Sequence, residues 1–172
     1  MKTKKLVLSS LFVSFGVVLP MAFHMFNMGG SVFLPMHIPV LIAGYFLGPL
    51  YAGAVGILTP LLSSLLTGMP PLVPVMPIMA LELLGYGLVC GYVFSKTNKV
   101  YLSLVSAMVV GRLFSLVGAC IASLTFAPQI SPIAYVFGSL STAIPGMLIQ
   151  LVFIPTFVTL LLKNKEIAKA IA

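Results

Sequence analysis

Apolar residues run along the chain in six long blocks, and the polar residues fall mostly between them. The blocks cover about residues 6–26, 33–47, 50–66, 72–94, 100–126 and 134–162. A helix needs roughly 20 apolar residues to cross the hydrocarbon core of a membrane. The second block is short, and Pro35 and Pro39 interrupt its start. Backbone that departs from a helix inside a membrane must be buried in protein or line a cavity. The pattern therefore predicts an all-α integral membrane protein, six transmembrane helices in one bundle. Its second helix is broken at one end and packed against its neighbours.

The breaks between blocks have their own chemistry. Gly48-Pro49 reads as a tight turn, because proline suits the first turn of a helix. Thr67-Gly68-Met69-Pro70-Pro71 reads as a second turn at the opposite end. Small residues recur four apart at Gly44, Gly48, Ala52 and Gly56, at Gly87 and Gly91, and at Ser115, Ala119 and Ser123. Such rows let helices approach closely. Ser10 and Ser14 form a similar pair on the first helix, where a partner subunit could dock.

Composition agrees with the pattern. The chain has 172 residues, of which 60% are hydrophobic and 6% charged. Soluble domains carry about a quarter charged residues, so this chain cannot cover a soluble globule with polar surface. Residues 1–172 read as a single membrane domain with no room for a separate soluble one. The first block follows a basic start, but it is longer than a signal-peptide core and is expected to be a retained helix.

The formal net charge is +7. The lysines gather in three places: Lys2, Lys4 and Lys5; Lys96 and Lys99; Lys163, Lys165 and Lys169. With six crossings all three clusters fall on one side, and the connections opposite carry no Lys or Arg. Lysine-rich flanks mark the cytoplasmic face, so both termini are expected there. The clusters are short and lack interleaved aromatic residues, which argues against a nucleic-acid partner. Cys90 and Cys120 lie inside apolar blocks at no metal-binding spacing and read as small packing residues.

Inside the blocks only Glu82 and Arg112 are formally charged. A charge at the bilayer centre costs roughly 2.5–3.5 kcal/mol on insertion scales, so such groups pair or face a cavity. Counted at 1.5 Å per residue from Lys96, Lys99 and Lys163, the groups Glu82, Arg112 and Gln150 each lie roughly 20 Å from the cytoplasmic edge. Two readings stand: a structural ion pair tying two helices, and a binding site open to the outside. Asn27, His37, Tyr86, Tyr135 and Ser139 are further candidates for the wall of such a site, with Tyr86 one turn from Glu82. His24 and His37 do not match a metal-site spacing, so neither a metal nor another cofactor is expected.

The sequence holds no nucleotide-binding loop, no nucleophile arrangement and too few carboxylates for acid–base chemistry, so no enzyme is expected. A stand-alone proton-coupled transporter would depend on Glu82. A non-transporting membrane scaffold would need Glu82 and Arg112 only as a structural pair.

The stretch "LIAGYFLGPLYAGAVGILTPLLSSLLTG", Leu41 to Gly68, together with the basic start and six spans in this length, resembles the substrate-binding S components of energy-coupling factor (ECF) transporters. "FLPMHIP" and "SSLLTGMPP" look most like the pantothenate and hydroxymethylpyrimidine group. The resemblance implies a prokaryotic plasma-membrane protein that captures a small water-soluble vitamin or precursor, such as pantothenate, hydroxymethylpyrimidine or a pyridoxine-like compound, from outside. It implies partners as well: a transmembrane coupling subunit and two ABC-type ATPases on separate chains, in the lipid bilayer. It places ligand contacts in the first external loop and spans four to six, the region of Asn27 to Phe33, Glu82, Arg112 and Gln150. The family's small-residue docking motif on the first helix is matched most nearly by Ser10 and Ser14.

Overall fold

A computed structural model describes residues 2–25 and 29–163. It holds seven helices: α1 (Lys2–Met25), α2 (Gly30–Phe33), α3 (His37–Leu47), α4 (Pro49–Thr67), α5 (Val75–Thr97), α6 (Val100–Thr125) and α7 (Pro132–Lys163). With α2 and α3 taken as one crossing, six segments are long and apolar enough to span a membrane. No strand occurs among the described residues. Lys165 and Lys169 lie outside them.

Two long-range contacts define one end of the bundle. The Lys5 ammonium donates to the Leu47 carbonyl at 3.2 Å. The Tyr45 hydroxyl donates to the Val100 carbonyl at 2.9 Å. The starts of α1 and α6 therefore meet the end of α3 at a common level, here called the basal end. The segment between α2 and α3 and the one between α4 and α5 lie at the opposite, distal end.

The small-residue rows act where α5 crosses α3 and α4. A methyl group added at Gly56 would strike the Leu83 carbonyl, and one at Gly87 would strike the Ala52 carbonyl. One at Gly44 would come within 2.8 Å of Cys90 Cβ. Helix backbones in direct contact gain dispersion energy that lipid cannot supply. Cys90 is buried there, with its thiol 3.4 Å from the Leu41 carbonyl. Cys120 departs from its expected packing role: it is exposed on the outside of α6.

Of the 11 residues of α3, only Ile38 is not buried. The helix is the axle of the core, which joins Val40, Leu41 and Ala43 to Val55, Leu83, Leu104 and Ile154. Apolar side chains such as Leu50, Leu66, Leu124 and Val152 instead stand exposed on the outer faces. That inversion suits a bundle whose solvent is lipid.

The turns solve their hydrogen bonding locally. Gly48 has φ 83°, a conformation that favours glycine, and Pro49 follows at the first position of α4. In the proline-rich distal turn, the Ser63 hydroxyl donates to the Met69 carbonyl at 2.7 Å and Ser64 to the Pro70 carbonyl at 2.6 Å. Those two serines keep non-helical carbonyls satisfied at membrane depth.

The break in the second crossing differs from its sequence expectation. Pro39 does not interrupt a helix; it lies in the first turn of α3, where its missing N–H has no intrahelical acceptor to lose. The break is at Leu34–Met36, where Leu34 takes the left-handed conformation at φ 51°. The α2 turn before it rests on α7. A methyl group at Gly146 would strike the Val32 carbonyl, and the Gln150 amide donates to the Leu34 carbonyl at 3.3 Å.

Candidate functional site

His37 is the first residue of α3, immediately after the break. Its backbone N–H donates to the Leu34 carbonyl at 3.1 Å. The break therefore delivers an imidazole into the bundle beside α5. There His37 Nε2 lies 3.5 Å from Glu82 Oε1. Arg112 Nη1, from α6, lies 3.0 Å from the same oxygen. Three helices thus place an imidazole, a carboxylate and a guanidinium in one buried contact. The three side chains are 3%, 8% and 12% exposed for His37, Glu82 and Arg112.

The contact is electrostatic more than directional. Neither side chain aims a well-aligned N–H at Glu82 Oε1, which has no hydrogen-bond partner by geometry among the described residues. His37 Nδ1 and Nε2, Arg112 Nε and Nη2, and Ser115 Oγ are likewise buried and unpartnered there. Most buried polar groups are paired, so a cluster of unpaired ones needs a physical account. Each lost pairing costs about 1–3 kcal/mol, and more for a charged group.

Neighbours shape the cluster. The Tyr86 ring meets the His37 ring edge-on at a centroid distance of 5.2 Å. A methyl group added at Gly111 would strike the Tyr86 ring, so the glycine beside Arg112 makes room for it. Arg112 Nη1 also lies 3.4 Å from Ser139 Oγ of α7. Tyr135 is half-buried at the distal end and packs against a small group formed by Ile78, Ala119 and Ala122.

A cavity of about 700 Å³ opens beside the cluster, between α1, the α2 turn and the facing ends of α4 and α5. Pro20, Leu34, Thr67 and Met79 are among its lining residues, and His37 also forms part of its wall. Among the described residues expected at the site, His37 alone lines this cavity; Glu82 and Arg112 lie behind it.

The expected residues divide in three. The structure brings His37, Glu82, Tyr86, Arg112 and Ser139 together. Gln150 is 1% exposed and turned to Leu34 rather than to the ion pair. Ser139, about three turns nearer the distal end, meets Arg112 instead. Counting rise per residue locates a backbone, not the end of a long guanidinium. Asn27 lies outside the described residues. Ser115, Gly111 and the part of the cavity lining from α1, α4 and α5 were not anticipated. Ser115 had a readable signal, because it follows Arg112 by three residues on one helix face.

A family model for the substrate-specific component of ECF transporters matches residues 4–160, most of the chain. The chain belongs to that family. Neither the curated proteins nor the solved structures compared with it gave a match. As a substrate-specific component, it is a multi-pass membrane subunit of a transporter that binds a small substrate and works with a membrane coupling subunit and ATPases. That assignment gives the buried polar cluster a context: a subunit whose task is capture needs pre-arranged polar groups in an apolar bundle.

Proposed function

We propose that this substrate-specific component captures a small water-soluble vitamin or vitamin precursor at the His37–Glu82–Arg112 cluster. The distal end faces outward and both termini face the cytoplasm, following the lysine bias. The captured molecule is handed inward through the coupling subunit, with energy supplied by two ATPases on separate chains. Glu82, Arg112, His37, Tyr86 and Ser139 form the polar wall. Tyr135 and Gln150 belong to the same proposed set, and Asn27, outside the described residues, is a further proposed contact. Ser10 and Ser14 serve docking.

One observation carries this reading: five buried polar side-chain atoms of His37, Arg112 and Ser115 lack partners beside the one buried carboxylate among the described residues. A purely structural ion pair would be better served by closed hydrogen bonding. Pre-arranged, unpaired donors cost stability in the empty protein and recover it when a ligand supplies acceptors.

The test is thermal unfolding of the purified protein against a panel of vitamins and precursors, including pantothenate, hydroxymethylpyrimidine and pyridoxine. A ligand at 100 times its Kd stabilises the folded state by about 2.7 kcal/mol. One compound is expected to raise Tm at micromolar concentration; a flat response across the whole panel contradicts capture. Arg112→Gln alone strands Glu82 and is expected to cost about 3–5 kcal/mol. Glu82→Gln with Arg112→Gln removes both charges and is expected to restore the fold without restoring binding. Normal affinity in that folded double variant would leave the pair a structural role only.

A further inference from the structure

We infer that the ligand is a small organic oxyanion, its acid group held by the free edge of the Arg112 guanidinium beside His37. The inference rests on the cluster being the ligand site and narrows what that site accepts.

The argument starts from which atoms of Arg112 are already used. Glu82 and Ser139 both lie against Nη1, at 3.0 Å and 3.4 Å. Nε and Nη2 are buried and have no partner among the described residues. Nε–H and one Nη2–H point the same way and form the side-on fork of a guanidinium. That fork matches the two oxygens of a carboxylate or phosphate in parallel hydrogen bonds. The ion pair therefore occupies the end of Arg112 and leaves its bidentate edge buried and without a partner.

The unpartnered atoms point the same way. Glu82 is the only buried carboxylate among the described residues, and it already faces two cation-capable groups at 3.0 Å and 3.5 Å. His37 adds two unpartnered ring nitrogens and Ser115 an unpartnered hydroxyl. Of these unpartnered atoms, Arg112 Nε and Nη2 can only donate. A neutral alcohol or an amino-substituted ring brings donors that would compete for one crowded carboxylate oxygen. An oxyanion brings the acceptors that Arg112 Nε–H and Nη2–H lack.

The cavity sets the rest of the molecule. Its volume of about 700 Å³ falls in the usual range for small-molecule sites. Pro20, Met21, Leu34, Met36 and Met79 make much of its wall apolar, and His37 lies where it adjoins the charges. An organic acid with a mainly apolar body fits this division: acid at the cluster, body in the cavity.

Matched pairs that differ in the acid group test it. The probes are pantothenate against pantothenol, and pyridoxine 5′-phosphate against pyridoxine, each titrated into the purified protein by calorimetry and thermal shift. At least one acid member is expected to bind with a Kd at least about 100-fold below that of its neutral partner. The first pair reads carboxylate and the second phosphate, so the two sources of an oxyanion separate. Arg112→Lys keeps the charge and removes the fork, and is expected to weaken that acid at least about tenfold. Equal or tighter binding of the neutral members overturns the inference while leaving capture itself intact. An unchanged Kd in a folded Arg112→Lys protein overturns the fork. Failure of every probe to bind overturns the inference as well, and a response to a different, neutral vitamin in the wider panel would then show that capture survives it.

Discussion

Glu82 is the residue on which the cluster turns, because His37 Nε2 and Arg112 Nη1 both lie against one of its oxygens. In an apolar bundle such a contact is strong only while its geometry holds. Gly111 guards that geometry. The Tyr86 ring fills the space a side chain would take there, and the same ring packs edge-on against His37. Gly111→Leu is therefore expected to push Tyr86 toward His37 and to raise the ligand Kd at least about tenfold, with overpacking costing about 1–3 kcal/mol of stability. Calorimetric titration beside thermal unfolding checks this. Unaltered affinity would show that Tyr86 does not position the imidazole. At this scale the sequence was informative about the charged pair and its tyrosine, since a lone Glu and a lone Arg in apolar blocks leave few partners. It was silent about the glycine, because the ring that needs its space comes from another helix.

Single helices carry two separate tasks. The end of α2 is seated on α7 through Gly146 and Gln150, so the Leu34–Met36 break is held from the distal side. On α1, Ser10 and Ser14 are exposed, and each hydroxyl is satisfied by the carbonyl one turn earlier, at 3.1 Å and 2.9 Å. That leaves a smooth, small patch among the exposed Leu6, Leu11 and Phe15, suited to close approach by another helix. Ser10→Phe with Ser14→Phe is expected to abolish uptake in cells that supply the coupling subunit and ATPases, while ligand Kd in purified protein stays within about twofold. Unchanged uptake would end the docking assignment. The helices themselves were legible from apolar block length, and the lysine positions ordered them. The exact break was not: Pro35 and Pro39 both signalled disruption. Only the fold shows that Pro39 starts a helix, while Leu34 makes the left-handed turn.

Across the whole molecule, the burial pattern gathers the buried charges of the described residues at one place. The second crossing is sunk in the core, the outer faces are apolar, and the charges meet at one buried contact rather than along a path. The family assignment makes the chain a substrate-specific transporter subunit. The placement of the cavity could not be read in advance. Its wall is assembled from the ends of helices far apart in the chain, and most of its residues are apolar and unremarkable in sequence.

A structure with the captured ligand bound tests the central claim most directly. The account expects the ligand's polar group within hydrogen-bond distance of Arg112 Nε and Nη2 and near His37, with its remainder in the cavity. A ligand seated elsewhere, with those nitrogens still unpartnered and the Glu82–Arg112 contact unaltered, would contradict it.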